Sequence, residues 1–161
     1  MDPSNVSIPV DRESSAEGFK MSSSTNGADW VLATLPLRTV SEANGGLKKS
    51  FKRGGKTCYK AEHWTDKHER HQRQKGMVRL VLQKHAGIIK LPCLVTLTRY
   101  APDRLDKHDN LPMSLKWVLD AVCAVITGDY RPGRADDDDR IDVRYSQITS
   151  KQYGVRILIS F

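Results

Sequence analysis

The chain has 161 residues, of which 39% are hydrophobic, and carries a formal charge of +7 at pH 7 because 26 Lys and Arg outnumber 19 Asp and Glu. That length predicts one packed core rather than two. The excess of cations favours a polyanionic partner such as nucleic acid, although a merely soluble basic protein carries the same kind of charge. Three cysteines without C-x-x-C spacing argue against a disulfide framework or a thiolate zinc site.

The amino-terminal segment is expected to be disordered and to lack a targeting signal. Residues 1–28 are rich in Ser, Asn, Gly and acidic residues without a hydrophobic period. The first twenty residues lack the apolar region of a secretory signal, and we expect no apolar run of the roughly 18 to 20 residues that cross a bilayer. The sequence therefore predicts a cytoplasmic protein with no membrane partner, whose folded domain covers residues 29–161.

The first predicted strand is Trp30–Pro36, a β-prone stretch that Pro36 closes. A long loop is predicted from Arg38 to Tyr59, because glycine pairs supply turn signals there. Five cations fall within nine residues of this loop: Lys48, Lys49, Lys52, Arg53 and Lys56. A charge run is usually a solvated surface, but an aromatic residue among cations, here Phe51, can also stack on an exposed base.

A long helix is predicted from Lys60 to about Lys84, with an apolar face only in its later half. Within it, His68 and His71 flank a Glu-Arg pair, one residue short of the zinc-protease spacing, so we do not assign a zinc protease. A strand follows at Leu91–Arg99, where apolar residues alternate. A second helix is predicted from about Pro112 to Ile126, with Asn110 as its N-cap and Gly128 as its end.

Two further strands are predicted near the carboxyl terminus, as an antiparallel pair. Alternating apolar residues mark them: Ile141, Val143 and Tyr145 in the first, and Val155, Ile157, Ile159 and Phe161 in the second. The predicted fold is therefore α+β, a mixed β-sheet of about four strands with two main helices packed against it.

Two acidic groups are the candidates for chemistry. Asp106 and Asp109 lie between a predicted strand end and a predicted helix start, and a loop of four adjacent aspartates, residues 136–139, precedes Arg140. Phosphodiester hydrolysis requires that the charge on the scissile phosphate is neutralised and that a water molecule becomes nucleophilic. A Mg²⁺ ion held by carboxylates does both. Solvent exposure is the commoner explanation for four adjacent carboxylates, and an EF-hand fails for lack of the central glycine.

Lys116 is a candidate cation beside these carboxylates. It lies seven residues after Asp109, close to two helical turns, so both residues point to the same side if the helix begins near Asp109. A lysine there could contact a phosphate. An i,i+4 ion pair with Asp120 accounts for Lys116 equally well.

These motifs together resemble the RusA family of Holliday-junction resolvases, especially its phage-type members. The resemblance rests on Asp106-x-x-Asp109-Asn110-Leu111, the helical Lys116, a glycine, the Asp-rich loop and Arg140-Ile-x-x-x-Tyr145. A leading strand that ends in Leu-Pro, a Ser41-x-x-Asn44 loop and a basic helix follow in family order. The resemblance thus covers the chain from about Trp30 to Phe161.

The resemblance implies a homodimeric, Mg²⁺-dependent endonuclease, with Mn²⁺ as a possible substitute, that nicks four-way DNA junctions at paired sites in a bacterial or phage setting. Asp109 corresponds to the motif aspartate, Lys116 to the helical lysine and Asp138 to the later catalytic aspartate, with Asp136 as the alternative. Asp106 is the third implied metal ligand, although many relatives carry this aspartate at the position of Lys107. The implied DNA-binding residues are Lys48, Lys49, Lys52, Arg53 and Lys56.

Two other classes of function stay open from the sequence. A non-catalytic DNA-binding protein on the same fold would use the acidic residues structurally or leave them solvated. An RNA-binding or assembly protein would use the basic loop and helix equally well.

Overall fold

A computed structural model of the chain describes residues 20–23, 29–43, 48–131 and 137–161. Its elements, in chain order, are β1 (Lys20–Ser23), β2 (Asp29–Leu35), β3 (Lys48–Arg53), β4 (Lys56–Ala61), α1 (Trp64–Leu82), a 3-10 turn (Gln83–His85), β5 (Cys93–Ala101), α2 (Asn110–Thr127), β6 (Ile141–Thr149) and β7 (Gly154–Ser160).

The main sheet is mixed and has five strands in the order β1-β2-β7-β5-β6. β5 and β6 run parallel, and the other neighbouring pairs are antiparallel. The predicted α+β class with two main helices on a mixed sheet is confirmed. β1 adds one edge strand to the predicted four, from a segment for which we expected no structure, and residues 1–19 lie outside the described residues.

The pairing of the last two strands differs from the prediction. β6 and β7 do run in opposite directions, but β5 lies between them and pairs with both. A short turn between two strands favours a hairpin, yet β6 pairs with a strand that precedes it by one helix. β5, α2 and β6 therefore form a β-α-β unit, in which the helix carries the chain back along the sheet.

The core lies between one face of this sheet and the two helices. On α2, apolar residues recur every three to four positions and are buried, and Gly128 ends the helix in the left-handed conformation at φ 69. The side chains that fill the core are Val31, Ala33, Leu35, Val95, Leu97, Val155, Ile157 and Ile159 from the sheet, with Val78, Leu82, Leu115, Val118 and Val122 from the helices.

α2 is more apolar than we predicted from the sequence. Among the described residues it is the one helix that meets a length and composition test for crossing a membrane, so our expectation that no segment approaches this length is wrong. Eleven of its residues are buried, however, and all of these except Ser114 pack into the core against the sheet. This packing is that of the central helix in a soluble domain.

The predicted loop between Arg38 and Tyr59 contains a β-hairpin. β3 and β4 pair in register from Lys48 opposite Ala61 to Arg53 opposite Lys56, and Gly54 and Gly55 form the turn at φ 56 and 76. Two consecutive positive φ values are what the tight hairpin turn requires, and glycine adopts them without steric cost. We call this hairpin, residues 48–61, the basic ribbon; its described side chains, those of residues 50–61, do not belong to the core.

Candidate active site and nucleic-acid interface

Asp106 organises the turn that leads into α2. One oxygen of its carboxylate, Oδ1, accepts hydrogen bonds from the backbone N–H groups of His108, at 2.7 Å, and Asp109, at 3.2 Å. These bonds are the main reason that the pKa of Asp106 lies below its usual range. The exposed Asp106 carboxylate therefore stays charged at neutral pH and has a structural task of its own.

Asp109, not Asn110, is the N-cap of α2, which corrects the predicted cap. The Asp109 side chain is exposed and makes no capping hydrogen bond, although aspartate at this position normally caps the helix. Its negative charge stands at the positive end of the helix dipole. The Asp109 carboxylate is thus presented to solvent at the head of α2, where a cation can reach it.

Asn110 links the head of α2 to the segment before the basic ribbon. The Ser41 hydroxyl donates to Asn110 Oδ1 at 2.6 Å. The Ser41-x-x-Asn44 loop and the Asp-Asn-Leu motif, which the resemblance singled out separately, therefore meet through Ser41 and Asn110. Asn44 itself lies outside the described residues.

One arginine of α1 joins the carboxyl-terminal end of the basic ribbon to the segment that contains Ser41. Arg70 Nη2 donates to Glu42 Oε1 at 3.2 Å and to Glu62 Oε2 at 2.7 Å, and Arg70 Nε donates to Glu62 Oε1 at 3.2 Å. Glu42 directly follows Ser41, and Glu62 directly follows β4. The base of the ribbon is therefore held beside the head of α2.

Asp138 lies at the start of β6 and is paired with Arg140. The Arg140 guanidinium donates from Nε and Nη2 to the two carboxylate oxygens, at 2.9 and 2.7 Å. This fork, together with the Arg140 backbone N–H, lowers the pKa of Asp138 to about 2. Asp137 and Asp139 are exposed neighbours, and Asp136 lies outside the described residues.

The structure separates Asp138 from Asp106 and Asp109. The backbone N–H of Cys93, at the start of β5, donates to the Arg140 carbonyl, whereas Leu105 exchanges hydrogen bonds with the Gln147 side chain near the far end of β6. Ile141 and Gln147 are six residues apart along one strand, roughly 20 Å. The three predicted ligands therefore do not form one metal site within a chain, because α2 returns the chain to the opposite end of the sheet.

Lys116 lies two helical turns beyond Asp109, roughly 10 Å along α2. Its Nζ is 3.4 Å from Asp120 Oδ1, and Asp120 Oδ2 is 3.6 Å from Lys75 Nζ. The i,i+4 ion pair with Asp120, which we predicted as the alternative role of Lys116, is thus present. Lys116 does not contact Asp109, so its predicted catalytic role stays a prediction.

A polar cluster that the sequence analysis did not predict joins α1 to α2. The buried His71 ring stacks on Trp117 with 4.1 Å between centroids, and His71 Nε2 lies 2.5 Å from Glu42 Oε1. Burial raises the pKa of Glu42, but hydrogen bonds from Lys67 and His71 outweigh this and lower it overall. Because an ionised carboxylate only accepts, His71 Nε2 carries a proton. Glutamate and histidine 29 positions apart give no local signal of this contact.

The His71 contact predicts a pH dependence of stability. Burial lowers the pKa of His71 more than Glu42 raises it, so the unfolded chain binds this proton more readily than the folded chain. As the pH falls from 7 to 5, the free energy of unfolding should decrease, by at most about 1.4 kcal/mol per pH unit for one proton. His71→Gln should make this decrease shallower in urea titrations at several pH values. An unchanged profile would show that His71 does not carry it, leaving the buried His85 as the source.

The described side chains of the basic ribbon are exposed, apart from the half-buried Cys58. The ribbon contains no Asp or Glu, and the Lys52, Arg53 and Lys56 side chains are all exposed. The side chains of Lys48 and Lys49 lie outside the described part of the chain. A surface with one sign of charge attracts the phosphate backbone of a nucleic acid with little regard to sequence.

Neutralising this charge should weaken DNA binding in a salt-dependent way. Each lost phosphate contact makes the slope of log K against log salt shallower by about 0.9, so Lys52→Gln, Arg53→Gln and Lys56→Gln together should change it by about 2.7. The control carries the same charge change at exposed lysines elsewhere, Lys84, Lys90 and Lys151. Equal slopes for the two triple variants would show that the ribbon does not contact phosphates.

No family model matches the chain, and no curated protein is similar to it. Within the described residues, no three His, Cys, Asp or Glu side chains converge on one point where a metal ion could bind. Asp106 and Asp109 do offer hard oxygen ligands in one turn, and Mg²⁺ is commonly held by only one or two carboxylates, several waters and the substrate phosphate. These two carboxylates are ligands of the type that such an ion takes, and both are exposed.

Proposed function

We propose that the chain is a Mg²⁺-dependent endodeoxyribonuclease that cleaves Holliday junctions or other branched DNA, with the RusA-type resolvases as the family it resembles. The observation that carries the proposal is the contact between Ser41 and Asn110. It holds the segment before the ribbon against Asn110, next to Asp109 at the head of α2, and Arg70 joins this segment, through Glu42, to Glu62 at the end of β4. The described cations of the ribbon, Lys52, Arg53 and Lys56, flank the turn at its far end, roughly 20 Å from its base, so a DNA arm bound along the ribbon would lead to these carboxylates.

Asp109 and Asp106 would hold the metal ion. When bound, Mg²⁺ neutralises charge on the scissile phosphate and lowers the pKa of a bound water. Asp109 contributes an exposed carboxylate that its helix does not use, and Asp106 fixes the turn through the His108 and Asp109 backbone N–H groups. Lys116 would stabilise phosphate charge farther along α2.

Asp138 joins this site only if a second copy supplies it. Within one chain it lies at the other end of β6, paired with Arg140. A two-fold homodimer can place the acidic loop of one copy against the head of α2 of the other, which creates two equivalent sites. Two sites suit a four-way junction, because resolution requires two nicks in strands of like polarity. The proposed setting is the cytoplasm of a bacterium, with the protein encoded by the host or a phage.

The second candidate is a non-catalytic DNA-binding protein on this fold. The observation that favours it is that Asp106 and Asp138 already have structural partners, the backbone N–H groups of the turn and the Arg140 guanidinium. Such a protein would bind branched DNA through the ribbon and leave it intact.

A binding comparison tests the class of substrate. Four-way junction, linear duplex and single-stranded RNA are titrated at one fixed salt concentration in EDTA, so that cleavage does not interfere. The proposal expects the junction to bind at least about tenfold more tightly than the duplex of equal length, a difference of about 1.4 kcal/mol. Equal affinity for all three would show that the chain binds polyanions in general and would contradict the preference for branched DNA. Tighter binding of RNA would favour the RNA-binding class.

A further inference from the structure

The two faces of the basic ribbon each carry an exposed aromatic side chain. Side chains alternate between the faces of a strand, and residues directly opposite each other in an antiparallel pair share a face. Phe51 pairs with Cys58, whereas Tyr59 pairs with Ser50, so the two rings project from opposite faces. Phe51 is 47% exposed and Tyr59 is 69% exposed.

Each ring is accompanied by cations. By the pairing register, Arg53, Lys56 and Lys60 share the face of Phe51, and Lys52 shares the face of Tyr59. An aromatic ring beside Lys and Arg is the combination with which proteins hold unstacked nucleotides, since the ring stacks on a base while the cations contact phosphates. None of the ribbon side chains that the structure describes belongs to the core, so the packing of the domain does not require these rings.

We propose that the basic ribbon is a two-sided wedge that enters the branch point of a DNA junction, where Phe51 stacks on the terminal base pair of one arm and Tyr59 on that of another. This inference rests on the proposed preference for branched DNA and names the part of the substrate that the ribbon contacts. A duplex interior offers stacked bases only, whereas a branch point exposes base-pair faces on two sides. A ribbon with one ring on each face matches the two exposed base-pair faces of a branch point.

The ribbon is built to enter such a gap. Its six-residue strands are roughly 20 Å long, and the two-residue Gly54-Gly55 turn adds no bulky side chain at the tip. Arg70 fixes the carboxyl-terminal end of the ribbon to α1 through Glu62, and it also binds Glu42 in the segment before the ribbon. An isolated two-stranded hairpin is only marginally stable in water, so this clamp supplies rigidity that the wedge needs.

The test uses four-way junctions that carry 2-aminopurine, a base whose fluorescence rises when it unstacks, at the branch point or well inside one arm. Binding is measured in EDTA. The wild-type chain should change the fluorescence of the branch-point probe and leave the probe inside the arm unchanged. Phe51→Leu and Tyr59→Leu, which keep apolar bulk without a ring, should each reduce the branch-point signal and weaken junction binding about tenfold. Duplex binding should stay the same.

The controls separate the wedge from its alternatives. Thr57→Ala changes an exposed ribbon residue without a ring and should behave as wild type, whereas Phe51→Trp should retain the signal. If junctions are preferred over duplex but both leucine variants behave as wild type, the wedge is wrong and the proposed function stands. If wild type binds junction and duplex equally, both fail. A wedge signal without nicking would support the wedge and leave the non-catalytic protein as the function.

Discussion

Asp109→Asn should abolish Mg²⁺-dependent nicking of a four-way junction while junction binding stays intact or becomes tighter. Asparagine keeps the shape of the side chain and removes the charge that holds a hard cation. Loss of several kcal/mol of charge stabilisation corresponds to a fall of at least about a hundredfold in nicking rate at saturating enzyme. Binding should not suffer, because the substitution removes a negative charge that repels the DNA backbone.

The matched control is Asp103→Asn, an exposed aspartate in the same connection between β5 and α2. The Asp103 side chain has no place in the proposed site, so this variant should nick at the wild-type rate. Because Asp109 makes no capping hydrogen bond, its replacement removes only the interaction of its charge with the helix dipole, about 0.3 to 1 kcal/mol, and should lower the thermal unfolding temperature by only a few degrees. Equal losses of nicking in both variants would show that the effect does not come from the proposed metal site.

Asp138→Asn should also lose nicking, and mixing it with Asp109→Asn should restore part of the activity. If each site combines Asp109 of one copy with Asp138 of the other, a mixed dimer of the two variants contains one intact site and one doubly altered site. Subunit exchange between two inactive proteins should then yield junctions nicked in a single strand. If both ligands came from the same chain, every site in the mixture would carry one substitution, and the mixture would stay inactive.

Asp137→Asn serves as the control for this experiment, because Asp137 is exposed one position before Asp138. It should leave nicking unchanged. A mixture that stays inactive while each variant still forms dimers would exclude the shared site. The Asp138–Arg140 ion pair is then left as a purely structural feature of the acidic loop.

The elements that fill the core were the most predictable from sequence. α2, β5 and β7 carry apolar residues at helical or alternating spacing because one face of each is buried, so their existence and type follow from the pattern. The basic ribbon has no buried face. Its strands therefore show no apolar alternation, and only the Gly54-Gly55 pair signals the turn.

The candidate site was predictable in its residues but not in its geometry. The sequence places Asp109 before a helix and Asp138 after it. The prediction of β6 and β7 as an antiparallel pair did not include the parallel pairing of β6 with β5. In a β-α-β unit the helix connects two parallel strands. Its first residues therefore lie near one end of the sheet and its last residues near the other. The contacts of Ser41 with Asn110 and of Glu42 with His71 depend on tertiary packing, which no local pattern records.

The most direct measurement of the central claim is strand nicking of a four-way junction by the purified chain, with Mg²⁺ and with EDTA, resolved on denaturing gels. The account predicts paired nicks in strands of like polarity with Mg²⁺, no product in EDTA, and no cleavage of a linear duplex of the same sequence. A junction that is bound tightly yet stays intact in Mg²⁺ and in Mn²⁺ would contradict the nuclease assignment.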